Sequence, residues 1–150
     1  MSGELWFYHL ERSGVEATLA SLVERCLSCG WRALIRGGLP ERLEAIDAAL
    51  WTYRDEAFLP HGMEGRDDPE RQPVFLTPAA GNPNRAAALF AIDGAGTEDA
   101  AQFERAIVLF DGRDEAALSA ARARWKAARG EGLAVSYWKE SAQGRWEKQS

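Results

Sequence analysis

Short, nearly continuous runs of apolar residues recur along this chain, and helical patterns or loops separate them. Such a run is typical of a strand that is buried on both faces, as strands are inside a parallel sheet. Because the strands alternate with helices, the sequence predicts an α/β fold: one three-layer α/β/α domain whose sheet is mostly parallel. The predicted strands span residues 5–10, 31–36, 73–77, 87–92 and 105–110.

Helical patterns are recognised by apolar residues that recur at spacings of three and four. Leu19, Leu22 and Val23 follow this spacing ahead of Gly30, a typical C-terminal stop. Pro40 lies at the start of a second pattern, where its missing N–H costs nothing. The sequence predicts helices over residues 15–29, 40–53 and 114–129, a short helix over 97–103, an extended segment over 133–138 and a flexible tail over 143–150.

The composition fits one domain over residues 1–150 and excludes several classes of protein. Hydrophobic residues make up 46% of the chain and charged residues 27%, which is the balance of a globular protein and not of a disordered one. No apolar run approaches the roughly 18 residues that a membrane-spanning helix needs. Because the chain has two cysteines, a disulfide framework is not expected. We therefore expect a soluble, cytoplasmic protein.

Charge is distributed unevenly along the chain. The formal net charge is −5, but residues 113–150 contain eight Lys and Arg against five Asp and Glu, a net of +3. The remaining ten basic and eighteen acidic residues give residues 1–112 a net charge of −8. An acidic body argues against direct nucleic-acid binding, which needs clustered cations. The basic C-terminal third instead suits a short acidic partner.

Three motifs could carry chemistry, but each lacks a companion that the chemistry needs. Cys26 and Cys29 lack the second ligand pair of a zinc site, and they lie at a helix end instead of the helix start that lowers a thiol pKa. Gly94-Ala95-Gly96-Thr97 could contact a phosphate, but it has no third glycine and no Walker lysine. His61 has no nucleophile motif beside it. We expect no catalytic site, metal or cofactor; the alternative is a small α/β nucleotide-binding protein or enzyme that uses Gly94–Gly96 and His61.

Residues 50–63 are too apolar for a plain connection. Pro60 and Gly62 prevent the preceding helix from simply continuing through this segment. Apolar surface of this kind is either buried under the domain or offered to a partner. We interpret the apolar residues that the helix core does not use as a partner surface, which comprises Trp51, Phe58, Leu59 and Pro60.

The last predicted helix carries a second candidate site. Arg122, Trp125 and Arg129 step by three and four residues and share one face, with Lys126 beside them. An aromatic ring flanked by cations suits a peptide that carries carboxylates and one apolar end group. A half-buried Trp covered by Arg side chains would show the same spacing, so spacing alone does not choose between the two.

Several stretches together resemble the chi subunit of bacterial DNA polymerase III, an accessory protein of the clamp loader. The resemblance covers most of the chain, and its most specific motif is Leu50-Trp51 followed by Phe58-Leu59-Pro60-His61. The other stretches that carry it are Phe7–Leu10, Glu41–Leu43, Pro73–Val74 and Ala121–Lys126.

This resemblance implies an α/β/α domain of nucleotide-binding-like topology that serves DNA replication without catalysis of its own. It implies two partners: the psi subunit or another clamp-loader component, and the acidic C-terminal tail of single-stranded-DNA-binding protein. Carried over to this chain, Trp51, Phe58, Leu59 and Pro60 would contact psi. Arg122, Trp125 and Lys126 would receive the tail, with a Trp where the family often has Tyr, and we add Arg129 because it shares their face.

Overall fold

The computed structural model describes residues 4–52, 60–131 and 134–149. In chain order its elements are β1 (Glu4–Leu10), α1 (Val15–Ser28), β2 (Ala33–Gly37), α2 (Leu43–Trp51), β3 (Gly62–Met63), β4 (Val74–Thr77), β5 (Ala88–Ile92), β6 (Arg105–Asp111), α3 (Glu115–Gly130), β7 (Ala134–Glu140) and β8 (Trp146–Lys148). Within these ranges eight strands form one sheet, in the order β3-β4-β2-β5-β6-β1-β7-β8. Neighbouring strands from β3 to β7 are parallel, and β8 alone of the described strands runs antiparallel to its neighbour. The predicted α/β class with a mostly parallel sheet is confirmed.

Helices cover both faces of this sheet. Leu19 of α1 and Ile46 of α2 are buried in one core cluster, whereas Ala121 of α3 is buried in a second cluster. Successive side chains of a strand point to opposite faces of the sheet, so Ile35 of β2 belongs to the first cluster and Leu34 to the second. The predicted three layers are therefore confirmed. No helix in residues 4–52, 60–131 or 134–149 is long and apolar enough to cross a membrane.

The C-terminal end differs from the sequence prediction. Residues 143–150 read as a flexible tail, but Trp146–Lys148 forms β8 and pairs with β7. The physical reason is packing: the Trp146 ring lies 4.6 Å from the Tyr8 ring, and Trp146 packs against the first core cluster. A single aromatic among polar and charged neighbours does not produce the alternation that would predict a strand.

The predicted helix over residues 97–103 is also wrong, because the structure has only a 3-10 turn at Ala100–Gln102 there. Arg36 explains the difference. Its guanidinium donates to the Gly96 carbonyl at 2.9 Å and to the Asp99 carboxylate at 2.7 Å, which ties this segment to the end of β2. A second difference lies in the predicted loop over 62–73, which contains β3 and a 3-10 turn at Pro69–Arg71.

Candidate peptide-binding site

Helix α3 carries the charged cluster that the sequence singles out. The Asp114 carboxylate caps the helix start, where it accepts hydrogen bonds from the backbone N–H groups of Ala116 and Ala117. Ala121 and Ala128 face the sheet and are buried. The helical period then places Arg122 and Trp125 on the flank of α3 that lies beside β7.

Arg122, Trp125 and Lys126 line one cavity of about 400 Å³ between α3 and the β1–β7–β8 part of the sheet. The sheet contributes the remaining wall, formed by His9, Tyr137, Lys139 and Gln149. Arg129 is not part of the lining, and its guanidinium lies over the Trp125 ring at 4.8 Å from the centroid. The structure therefore brings three of the four predicted residues into the lining of one cavity. The fourth, Arg129, lies over the Trp125 ring.

Trp125 forms the aromatic side of this cavity. Its ring meets the Tyr137 ring edge-on, with the centroids 6.1 Å apart. The indole N–H is buried and has no hydrogen-bond partner among the described residues. Trp125 is half-buried under the Arg129 guanidinium, as in the second of the two interpretations of the spacing, and it also borders the cavity.

The cavity is strongly cationic. Arg122, Lys126 and Lys139 belong to its lining, which contains no carboxylate among the described residues. None of these three cations forms an ion pair with a carboxylate of the described ranges. Arg124, which precedes Trp125 on the helix, instead donates to the carbonyls of Ala95 and Gly94. A cavity with aromatic side chains and cations that form no ion pair in the described residues can hold a carboxylate-bearing peptide.

A buried polar chain lies at the sheet side of the cavity. His9 is 4% exposed; its Nδ1 lies 2.8 Å from the Tyr137 hydroxyl and its Nε2 lies 2.6 Å from Glu11 Oε2. Burial raises the pKa of the Tyr137 phenol, and the positive charge of the Arg122 guanidinium opposes that shift.

The sequence does not predict the sheet side of the site. His9 reads as one more residue of a buried strand, and Tyr137 as part of an extended segment. Parallel pairing in register brings them together, with Phe7 opposite Tyr137 and His9 opposite Lys139. The one local signal is that Tyr137 and Lys139 are two residues apart, so they face the same side of a strand.

The second predicted surface lies at the end of α2. Leu50 is buried in the core, as its helical spacing predicts, whereas Trp51 is 50% exposed. Pro60 is half-buried, and Phe58 and Leu59 lie outside the described residues. The Trp51 ring lies 4.3 Å from the His61 ring, and His61 Nε2 lies 3.0 Å from Asp47 Oδ1.

Gly94–Gly96 and His61 do not form one site. His61 precedes β3 and Gly94 follows β5, and the strands from β3 to β5 run parallel. His61 therefore lies at the N-terminal ends of these parallel strands, and Gly94–Gly96 lies at their C-terminal ends. Gly94 borders a cavity of about 600 Å³, but the loop turns its carbonyls towards arginines: Gly96 to Arg36, and Gly94 and Ala95 to Arg124.

Cys26 and Cys29 lie at the end of α1. Burial raises the pKa of the Cys26 thiol to about 11, which is opposite to the shift of a reactive cysteine. No group of three or more potential metal-ligating side chains occurs in the part of the chain that the structure describes.

Comparison with known protein families places this fold and site in context. The sequence model described as "DNA polymerase III chi subunit, HolC" matches residues 2–136. The chain belongs to the DNA polymerase III chi subunit family. The resemblance that the motifs indicate is therefore confirmed.

A curated relative agrees with this assignment. It is a probable DNA polymerase III subunit chi from Rickettsia prowazekii (strain Madrid E), 29% identical over 85 residues. The match covers 57% of this chain and 52% of the relative, so it spans about half the length of each. The chi-family match ends at residue 136, so the cavity residues Tyr137, Lys139 and Gln149 lie beyond it.

Proposed function

We propose that this chi-family protein is non-catalytic and links the DNA polymerase III clamp loader to single-stranded-DNA-binding protein by binding its acidic C-terminal tail. The observation that carries this proposal is the cavity beside α3, where Arg122, Lys126 and Lys139 surround aromatic rings without a carboxylate partner among the described residues. The family membership supports the replication setting.

The tail would bind through two kinds of contact. Its carboxylates would pair with Arg122 and Lys126, with Arg129 and Lys139 at the two sides. A terminal aromatic side chain would enter the cavity and pack against Trp125 and Tyr137. Pairs between exposed charges contribute only about 0.2–1 kcal/mol each, so the buried aromatic contributes much of the affinity. A contact of this kind is of micromolar strength, weakens with salt and suits transient handover.

Calorimetric titration with an acidic peptide that ends in an aromatic residue tests this proposal. Trp125→Ala removes the aromatic wall, and we expect affinity to fall about 30-fold or more. Arg122→Ala removes one exposed charge, and we expect a loss of up to about fivefold that added salt diminishes.

Arg124→Ala is the matched control, because Arg124 lies on the same helix and points away from this cavity. We expect it to bind like the wild type. Unchanged affinity in both Arg122→Ala and Trp125→Ala would contradict the assignment. Thermal stabilisation by a nucleotide, with none by the peptide, would favour a nucleotide-binding protein instead.

We propose the Trp51 surface, with Phe58, Leu59 and Pro60, as the contact to psi or another clamp-loader subunit. Its support is the half-exposed Trp51 indole at the end of α2, whose ring lies 4.3 Å from the ring of His61, the residue after Pro60. Apolar surface of this kind binds by burial, so the contact should resist salt.

Co-purification with clamp-loader subunits at high salt tests the Trp51 surface. Trp51→Asp should abolish it. Leu39→Asp is the matched control, since Leu39 is also a large exposed apolar side chain, at 45%, and belongs to a different surface. Retained co-purification of the Trp51 variant, or equal loss in both variants, would contradict this surface.

A further inference from the structure

We infer that His61 holds the Trp51 indole in place at the end of α2, and so joins it to the Pro60 side of the proposed partner surface. The inference rests on the proposed contact with a clamp-loader subunit and deepens it. It makes His61 a positioning residue, which acts on the partner through Trp51.

Asp47 and Trp51 share one face of α2. They are four residues apart, so the helical period places them one turn from each other on the same face. Asp47 is 7% exposed, whereas Trp51 is 50% exposed. This face of the helix therefore runs from a buried carboxylate to an exposed ring at the last residue of α2.

His61 contacts both residues of this face. Its Nε2 lies 3.0 Å from Asp47 Oδ1, and its ring centroid lies 4.3 Å from that of Trp51, with an angle of 47° between the ring planes. The His61 side chain is fully buried in this position. One buried ring thus ties Trp51 to the residue that follows Pro60.

The surroundings of His61 fix it from two sides. On the helix side, the Arg66 guanidinium donates to the same Asp47 oxygen at 2.9 Å and so holds the carboxylate. On the sheet side, the chain continues from His61 directly into β3, whose Met63 is buried in the first core cluster. The Met63 N–H also donates to the Asp67 carboxylate at 3.0 Å. The His61 ring therefore has a defined position against which the indole packs.

An ordered Trp51 favours binding for two reasons. A tryptophan near the centre of an interface commonly contributes a large part of the affinity. A side chain that is ordered before binding also loses less rotamer freedom when the partner arrives. The contact with the buried His61 ring restricts the rotamers of an indole that is half exposed to solvent.

Titration of this protein with the purified clamp-loader complex of the same organism tests the inference. His61→Gln keeps a polar group beside Asp47 but removes the ring, and we expect Kd to rise about threefold to tenfold. His61→Phe is the matched control, because it keeps a ring against Trp51; its Kd should stay within about twofold of the wild-type value. His61→Leu keeps buried apolar volume without a ring. It should lose affinity like His61→Gln, which preserves the test if the Gln variant folds poorly.

The environment of the indole in the free protein gives a second readout, which a merely structural role of His61 would not move. The chain contains six Trp. Labelling with 5-fluorotryptophan gives each a fluorine NMR signal, and Trp51→Phe identifies the signal of Trp51. In His61→Gln and His61→Leu this signal should move towards its position in the unfolded chain while the others stay. In His61→Phe it should remain away from that position.

A double-mutant cycle distinguishes positioning from direct contact. If His61 acts through Trp51, adding His61→Gln to Trp51→Ala should cause no further loss of affinity. The same fold-loss from His61→Gln in both backgrounds would show that His61 acts independently of Trp51, which contradicts the inference.

The remaining outcomes separate the two proposals. No binding of the clamp-loader complex by the wild type, or unchanged binding by Trp51→Ala, would overturn the Trp51 surface and this inference together. A clear loss in Trp51→Ala with unchanged affinity in His61→Gln and His61→Leu would overturn this inference alone. So would a loss of affinity in these two His61 variants with an unmoved Trp51 fluorine signal.

Discussion

Replacement of Arg36 by methionine should strongly destabilise the fold. Arg36 is 3% exposed at the end of β2. Its guanidinium donates two hydrogen bonds to the Asp99 carboxylate, of 2.7 and 3.0 Å. Its other donors reach the carbonyls of Ala79, Gly81 and Gly96 at 2.9–3.0 Å. Met fills a similar volume but donates nothing, so three carbonyls lose these hydrogen bonds and the Asp99 carboxylate keeps its bond from the Gly81 N–H.

The expected loss follows from the cost of an uncompensated buried charge. Breaking a buried ion pair from one side costs about 3–5 kcal/mol in the free energy of unfolding. For a domain of this size, that corresponds to a fall in Tm of about 6–20 °C. Urea unfolding followed by tryptophan fluorescence measures it. Arg71→Met is the control, because Arg71 and Asp68 form a loose, exposed pair at 3.7 Å; its urea midpoint should not move.

The dependence on pH gives a second check of the same pair. Burial alone would raise the pKa of Asp99, but hydrogen bonds from Arg36 and from the Gly81 N–H lower it overall. A carboxyl whose pKa is lower in the folded state contributes stability above its unfolded pKa, about 3.9, and loses that contribution as pH falls through the folded pKa. The difference between wild type and Arg36→Met should therefore shrink in acid. A loss below about 1 kcal/mol at neutral pH, as in a surface pair, would refute the reasoning.

Three further predictions concern the β7–β8 end of the sheet and the cysteines. Glu140→Gln should lower the free energy of unfolding by about 1–3 kcal/mol. The reason is that the buried Glu140 carboxylate accepts hydrogen bonds from three backbone N–H groups of the β1–α1 turn and from one hydroxyl. An unchanged urea midpoint would contradict this prediction. The pKa of Glu140 is lowered because these hydrogen bonds outweigh its burial, so its contribution should be present above about pH 4.3 and disappear in acid. Trp146→Ala should cost about 2 kcal/mol by the same assay, since the half-buried ring packs on Tyr8, and a loss near zero would show that β8 adds no stability. Exposed Cys29 should react with a thiol reagent at pH 8 before Cys26, whose pKa of about 11 keeps it protonated; faster labelling of Cys26 would contradict that assignment.

The strands and the two long helices could be predicted from the sequence because their signals are local. A run such as Ala88–Ile92 is apolar at every position, and a fully buried strand needs nothing else. Helix α3 could be predicted in the same way. Arg122 and Trp125 are three residues apart, so the helical period alone places them on one face. The resemblance to the chi family also rested on local motifs, and the family match confirmed that resemblance.

Local signals failed where a partner far along the chain decides the structure. Arg36 ends a strand pattern, and nothing nearby shows that it will hold Asp99, 63 residues away. Strand β8 is short and polar, and the packing of the Trp146 ring on the Tyr8 ring holds it against the sheet.

The candidate site divides in the same way. The sequence by itself determined the cationic, aromatic face of α3, because a helix repeats every 3.6 residues whatever surrounds it. Only the tertiary structure decided that this face borders a cavity and that Tyr137 meets His9, 128 residues earlier in the chain. The reason is that sheet order and register depend on long-range pairing of β1 with β7, which no local period of the chain encodes.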